Sequence, residues 1–546
     1  MTPISPPPLP HEVDGIFVGG GHNSLVAASY LARAGASVLV LEGGDELGGG
    51  VRTEEVTLPL FRHNLHAFFV RWTPDYTIWH DLGLDRFGVE AIYPDVQNAV
   101  PYDGGERALV TYRDVEKSTG EIARLNPEDS EAYRRLHSEF SEITNRILGP
   151  LRFAPPLPAD LQRELLGQSA LGRRLLSLAD RSALDVIRDA FTSEPLRALV
   201  GFNVAVRGYL PVLDVPGTGY CPVLALPNSH EGRMIRGGSG EMARALAASV
   251  YANGGRLATR SPVASIDIQN GRAVGVTTID GREVGARSFV ASSVPAPSTM
   301  LDLVGKEVLD PGMATAMEEY QWLEEALFGI HLALGDRPKF ASEAHNPDVP
   351  RALNLALGYE SSDDLIRDMT AIRGRTLPEV SALHSSIPTL NDPTQAPEGR
   401  HTTFGWQFVP STLPDGTEKW ESPDRDRQTD LMLSGYERYA PGLSDRILAV
   451  EAHSPADTEA TVPSMRRGDR HHGSFHPDNW ETNRPHHDLS SYRTPIDGLY
   501  LCGSSQHPGG SFTGQPGHNA AGVIADDTGL NVWWNRPNAV EVLRDL

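Results

Sequence analysis

The chain has 546 residues, 40% hydrophobic and 22% charged, which is ordinary for a globular protein and too long for one core, so two or three domains are expected. Its 71 acidic against 48 basic side chains leave a net charge of −23. That balance argues against nucleic acid, whose phosphates need a basic footprint, and leaves only peripheral membrane contact through an apolar patch.

The N-terminal "MTPISPPPLPHE" has no basic start and no apolar stretch of a signal peptide, and its prolines read as an extended tail over 1–11. No apolar run is long enough to span a bilayer. Cys221 and Cys502 are far apart and make no C-x-x-C dithiol, so each is expected as a small buried hydrophobe, and a reducing, cytoplasmic setting fits.

Gly15 to Val18 reads as a short strand, Gly19-Gly20-Gly21 as the turn after it, and His22 to Ala34 as a helix. Leu25, Val26, Ala28 and Ala32 carry the helical spacing, Gly35 ends it, and Ser37 to Leu41 is the next strand. This is the start of a parallel sheet with a right-handed crossover. Gly19 permits the tight turn and Gly21 lets backbone approach a pyrophosphate. The third position asks for a minimal side chain and holds Ser24. The helix N-terminal amides hold phosphate charge. Glu42 ends the second strand, where a carboxylate accepts hydrogen bonds from ribose hydroxyls and repels a 2′-phosphate.

These features leave NAD and FAD open. The second cluster, Gly48-Gly49-Gly50-Val51-Arg52, favours FAD. A flavoprotein needs flexible backbone here to pass over the phosphates towards the ring, with Arg52 as an available cation.

Residues 120–195 are charged and helix-patterned, and Gly240 to Ala252 reads as an amphipathic helix. The "GGSG" before it follows no clear strand, so no second dinucleotide site is expected. Asn270-Gly271 and Asp280-Gly281 are hairpin signals, making 256–291 a meander that returns to a core strand. "HTTFGWQFVP" alternates like a strand with one aromatic face. His471, His472, His476, His486 and His487 crowd an irregular, proline-broken loop without H-x-x-x-H or H-E-x-x-H spacing, which points to a polar loop and no metal site.

Near the C-terminus, Leu499 to Cys502 reads as a buried strand, Gly503 to Gln515 as a glycine-rich loop and Pro516 onward as a helix ending at Gly529. In a flavoprotein that helix start stabilises charge on the pyrimidine side of the reduced ring. Gly503, Ser504, Gly514, Gly517 and Asn519 are the expected contacts, and His507 is the candidate to move a proton during hydride transfer.

Taken in order, "VGGGHNSLVAASYLARAGASVLVLE", "GGGVRTEE", "PGTGY", "GGSGEMARAL" and "YRTPIDGLYLCGSSQHPGGSFTGQPGHNAAG" resemble the phytoene-desaturase-like FAD oxidoreductases. The nearest branch resembles the pyridine nucleotide-disulfide oxidoreductase domain-containing protein 2 group. Departures are Ser24, Gly43-Gly44 and Ser505-Gln506.

The resemblance implies an α/β fold with a Rossmann-type FAD-binding domain of the glutathione-reductase/amine-oxidase kind, discontinuous over 12–70, 230–300 and 490–530. A mixed α+β substrate domain would take 71–229 and 301–489, followed by a C-terminal extension over 531–546. By the same carry-over Val263 would contact adenine.

The function expected is removal of hydride from a C–H bond of a small organic, partly apolar substrate. Alternatives are a flavin amine oxidase, a redox-neutral double-bond isomerase, and a lipidated-partner binding module without flavin. Glu42, Gly48-Gly49 and the terminal loop weigh against the last. Only one strand–glycine–helix–acid unit is present, so oxygen or a quinone is expected as electron acceptor rather than NAD(P).

Overall fold

The computed structural model describes residues 8–71, 76–421 and 423–546, so residues 1–7 of the expected tail lie outside the described residues. Ile16, Phe17 and Val18 are buried in the strand Glu12–Val18, and all four residues of Val38–Leu41 are buried, as parallel strands covered on both faces require. Glu12–Val18 pairs in parallel with Val38–Leu41 on one side and Glu283–Ser292 on the other. Arg256–Ala258 and Leu499–Leu501 add further parallel strands. Val263–Gln269 and Arg272–Thr278 form the antiparallel meander that leads into Glu283–Ser292. The Asn270-Gly271 turn has φ of 52° and 77°, the left-handed pair that a tight hairpin needs. Strands from 12–41, 256–292 and 499–501 thus share one seven-stranded sheet.

A second seven-stranded sheet runs Ile447–His453, Glu325–Leu334, His401–Pro410, Leu383–Ser386, Asn354–Leu357, Val96–Tyr102 and Arg107–Tyr112. It is antiparallel except where Asn354–Leu357 meets Val96–Tyr102. A small sheet orders Phe69–Arg71, Gly232–Ile235 and Ala91–Ile92. Helices from 115 to 228, including α2 (Glu194–Val204), bury their apolar faces in a common cluster with Tyr359, Leu365 and Phe408. The helix Pro127–Ile143 starts on a side-chain cap: Asn126 accepts from the amides of Glu128 and Asp129, with Pro127 in the first turn.

Helix α1 (His22–Arg33) buries ten of its twelve residues. It packs against the sheet and also against α3 (Gly240–Ala252) and α4 (Gln515–Thr528), which is why so much of it is alanine and serine. One expectation is corrected here. A strand, Gly232–Ile235, does precede "GGSG", but it belongs to the small antiparallel sheet and not to the parallel one. No helix among the described residues is long and apolar enough to cross a membrane.

Candidate active site

Two glycine loops meet where the parallel strands end. Gly19 turns the chain at φ 87°, and a Cβ there would lie 2.8 Å from Ser293 Oγ. The second loop docks on the first: Gly48 N donates to Gly20 O at 2.8 Å, and Gly21 pairs with Gly48 in a parallel bridge. Gly49 passes so close that a Cβ would lie 3.3 Å from Gly21 Cα. Beside these loops is a cavity of about 1180 Å³, larger than the roughly 300–1,000 Å³ of an ordinary small-ligand pocket. One part of its wall is Glu42, Val263, Gly19, Gly21 and Gly49; another is Phe68, Phe69, Trp406 and Phe408.

The residues fit a dinucleotide at the first part. Helix α1 starts at Gly21 without a side-chain cap and with no acid in its first turn, and His22 and Asn23 line the cavity. Its first amides are therefore available to an anion. Helix α3 is the contrast. Asp392, Asn64 and Thr53 side-chain oxygens accept from the amides of Gly237, Ser239 and Gly240 at 2.7, 2.8 and 2.9 Å, so that glycine turn is already filled. The Glu42 carboxylate is held at both ends, accepting from Gly20 N and Gly44 N at 2.7 Å each. Its remaining lone pairs can take ribose hydroxyls. Arg52 lines the cavity but is no free cation: its guanidinium pairs with Glu54 at 2.6 Å and also donates to Thr461 O.

Other residues expected at the site stand behind the wall. Ser24 is buried against Cys502, Oγ to Sγ 3.8 Å, so its small size serves helix–strand contact. A Cβ on Gly48 would meet Ala243 Cβ at 2.6 Å, and one on Gly503 would meet Ser293 O at 2.3 Å. Gly514 caps α4 at φ 68°. A Cβ on Gly517 would lie 2.1 Å from Asn23 O, so this glycine lets α1 and α4 touch rather than facing the cavity. Asn519 donates to Arg152 O and Tyr492 Oη. Ser504 does line the cavity and accepts from Asn23 Nδ2 at 3.2 Å.

His507, the candidate proton carrier, is set back from the cavity wall. It is not among the cavity-lining residues. Its Nε2 lies 3.2 Å from Leu151 O, and burial pulls its pKa down to about 3. It stays neutral inside the protein.

The histidines at the wall are His22, His66, His384, His471 and His472. Burial lowers His66, His384 and His472 to about 3 and His22 to about 4. The histidine-rich loop is thus split: His471 and His472 face the cavity, while His476, His486 and His487 do not. His486, His487 and Asp488 lie near enough to one another to share an ion, away from the cavity. Arg484, fully buried, ties that loop to the terminal one by donating to His471 O at 2.8 Å, Ser474 O at 2.7 Å and Ser504 O at 3.1 Å.

The aromatic part of the chamber was only half legible. The His401–Pro410 strand puts Phe404, Trp406 and Phe408 on one face, as its alternation implies. Phe68 joins Phe404 and Trp406 at ring distances of 4.8 and 5.6 Å. Arg71, Arg152, Arg207 and Arg470 also line the cavity, and no local pattern marks an isolated arginine as inward-facing.

The sequence profile of the family described as flavin containing amine oxidoreductase matches residues 25–517. The chain belongs to this family. It is a flavin-dependent oxidoreductase with FAD as its cofactor. It is 29% identical to one of the limonene dehydrogenase subunits of Castellaniella defragrans, over 98% of each chain. It is 30% identical to pyridine nucleotide-disulfide oxidoreductase domain-containing protein 2 of Mus musculus, over 95% of this chain and 94% of that one. Among solved structures, an oxidoreductase from Methanosarcina mazei superposes with a TM-score of 0.59 at 17% identity, over 93% of this chain and 99% of that one. At that identity the likeness concerns the fold alone.

Proposed function

We propose that the protein is a dehydrogenase or desaturase that removes hydride from a C–H bond of an organic, partly apolar substrate. The observation that carries this is the chamber of Phe68, Phe69, Trp406 and Phe408, continuous with the glycine-lined part of the same cavity. When bound, FAD supplies the two-electron acceptor. On this reading 12–70, 230–300 and 490–530 are the FAD-binding unit. Glu42 holds the ribose, the first amides of α1 hold the pyrophosphate, and Val263 lies at the adenine.

The aromatic walls bind the substrate's apolar part by area and exclude water, and orientation supplies much of the rate. His66, His384 and His472, lowered by burial to about 3, are weak bases. They serve as neutral hydrogen-bonding groups that orient rather than abstract, which suits chemistry whose hard step belongs to the cofactor. An amine substrate is disfavoured because the chamber's fixed charges include Arg71, Arg152 and Arg207, which repel an ammonium.

Reoxidation by oxygen or a quinone, rather than NAD(P), is supported by the filled N-terminus of α3. A cytoplasmic setting is supported by two buried, unpaired cysteines. The test is anaerobic reduction of the bound flavin by a panel of allylic and alicyclic C–H donors beside primary amines. Bleaching by a C–H donor, slowed by deuterium at that carbon, is expected. Bleaching by amines alone refutes the reading.

A further inference from the structure

The chamber wall carries positive charge that no carboxylate among the described residues fully balances. Arg71 ends the Phe69–Arg71 strand, and Arg207 sits in the turn after α2; both line the cavity. Arg71 has a neutral partner, donating from Nη2 to Asn203 Oδ1 at 2.5 Å, and its guanidinium lies 4.9 Å from the Phe69 ring centroid. Its Nε and Nη1, and Nε and Nη2 of Arg207, have no exposed surface and no hydrogen-bond partner among the described residues. Among the described residues no carboxylate pairs with either side chain. The two repel each other, and Arg152, which also lines the cavity, repels Arg207.

Two other buried cations are answered by the protein. Arg470, also on the cavity wall, pairs with Glu325, and Arg484 donates to the carbonyls of His471, Gly473, Ser474 and Ser504. An uncompensated buried charge is costly, and two adjacent ones more so, unless an anion completes the site. The phosphates of the cofactor are not the obvious answer. Arg71 belongs to the small sheet and Arg207 to the helical layer, whereas the open amides of α1 lie on the parallel sheet. Guanidinium groups also suit planar, bidentate recognition of oxyanions.

We propose that Arg71 and Arg207 form an anion subsite in the chamber. The substrate therefore carries a carboxylate or phosphate group beside the apolar part that packs on Trp406 and Phe408. This rests on the reading of the chamber as the substrate site.

Calorimetric titration of the full-length, FAD-loaded protein tests it, because heat reports binding whether or not the flavin responds. The probes are benzoate, phenyl phosphate, neutral benzamide and benzylamine. At least one anion is expected to bind ten times more tightly than benzamide, and the tighter of the two identifies carboxylate or phosphate. Arg71→Met and Arg207→Met should each abolish that preference with FAD content unchanged, and Arg207→Lys should keep part of it.

Equal binding of anion and amide, no binding of either anion, or tighter binding of benzylamine overturns the proposal. So does a preference that survives both substitutions, or loss of FAD together with anion binding, which would hand the pair to the cofactor. If a Met variant does not fold, the wild-type preference and the Lys variant decide. A wild type that prefers the anions but is not reduced by any C–H donor would fail the dehydrogenase reading and leave the subsite standing.

Discussion

Substituting Gly517 by alanine probes the contact on which the cofactor end of the site is built. The added carbon would lie 2.1 Å from Asn23 O, 2.9 Å from Asn23 C and 3.1 Å from Asn23 Cα. That is roughly 1–1.5 Å short of an ordinary van der Waals separation. Neither helix has room to yield. Helix α1 is buried between the sheet, α3 and α4, and α4 is tied down through Asn519 to Arg152 O and Tyr492 Oη. Overpacking of this kind costs about 1–3 kcal/mol.

The displaced atom belongs to Asn23, in the first turn of α1, so the amides facing the cavity move with it. Losing one charge-assisted hydrogen bond there is worth ~1.5–3 kcal/mol, or roughly a tenfold to hundredfold weaker grip on FAD. The assay is FAD released per chain on denaturation, read beside the thermal midpoint. Gly167→Ala is the control: this helical glycine has nothing within 4 Å of an added Cβ, and alanine there should stabilise by up to about 1 kcal/mol. Unchanged FAD content and midpoint in Gly517→Ala would refute the close approach of α1 and α4. Gly517→Asp should show the same collision, because its side chain starts into α1 and not into the cavity.

Glu42→Ala should weaken FAD by about 1.5–3 kcal/mol, since it removes the carboxylate and strands the Gly20 and Gly44 amides that it accepts from; titration of the apoprotein with FAD measures this. Mixed anaerobically with NADH or NADPH alone, the flavin should stay oxidised, and rapid stoichiometric bleaching would contradict the single dinucleotide site. Stability should fall as pH drops below 6.5. His63, His66, His384, His472 and His507 are held near 3 by burial, so between 3 and 6.5 the unfolded chain binds protons that the folded one does not. Each adds a slope of up to ~1.4 kcal/mol per pH unit, with the full contribution present above 6.5. Thermal midpoints at pH 7.5, 6.5 and 5.5 check this, and a flat profile would refute it.

The parallel core and its first ligand-binding turn could be read from the sequence because their determinants are local. A buried strand, a glycine turn, a helix and an acid at Glu42 occupy thirty-one residues, Glu12 to Glu42, and each choice there is dictated by backbone sterics and hydrogen bonding within that stretch. The hairpin at Asn270-Gly271 and the proline-started, glycine-ended α4 are legible for the same reason. What a glycine is for was not. Gly48, Gly503 and Gly517 look like ligand contacts in one dimension, and only the assembled packing of α1, α3, α4 and the Glu283–Ser292 strand turns them into points of close backbone approach. The same holds for charge. Arg52 reads as an available cation until folding brings Thr461 O, 409 positions away, to its guanidinium, and Arg71 and Arg207, 136 positions apart in sequence, carry no local mark of their place until two layers of the fold bring them to one wall. Burial and partnership are properties of surfaces that meet across long sequence separations, and for that reason the tertiary structure alone decides them.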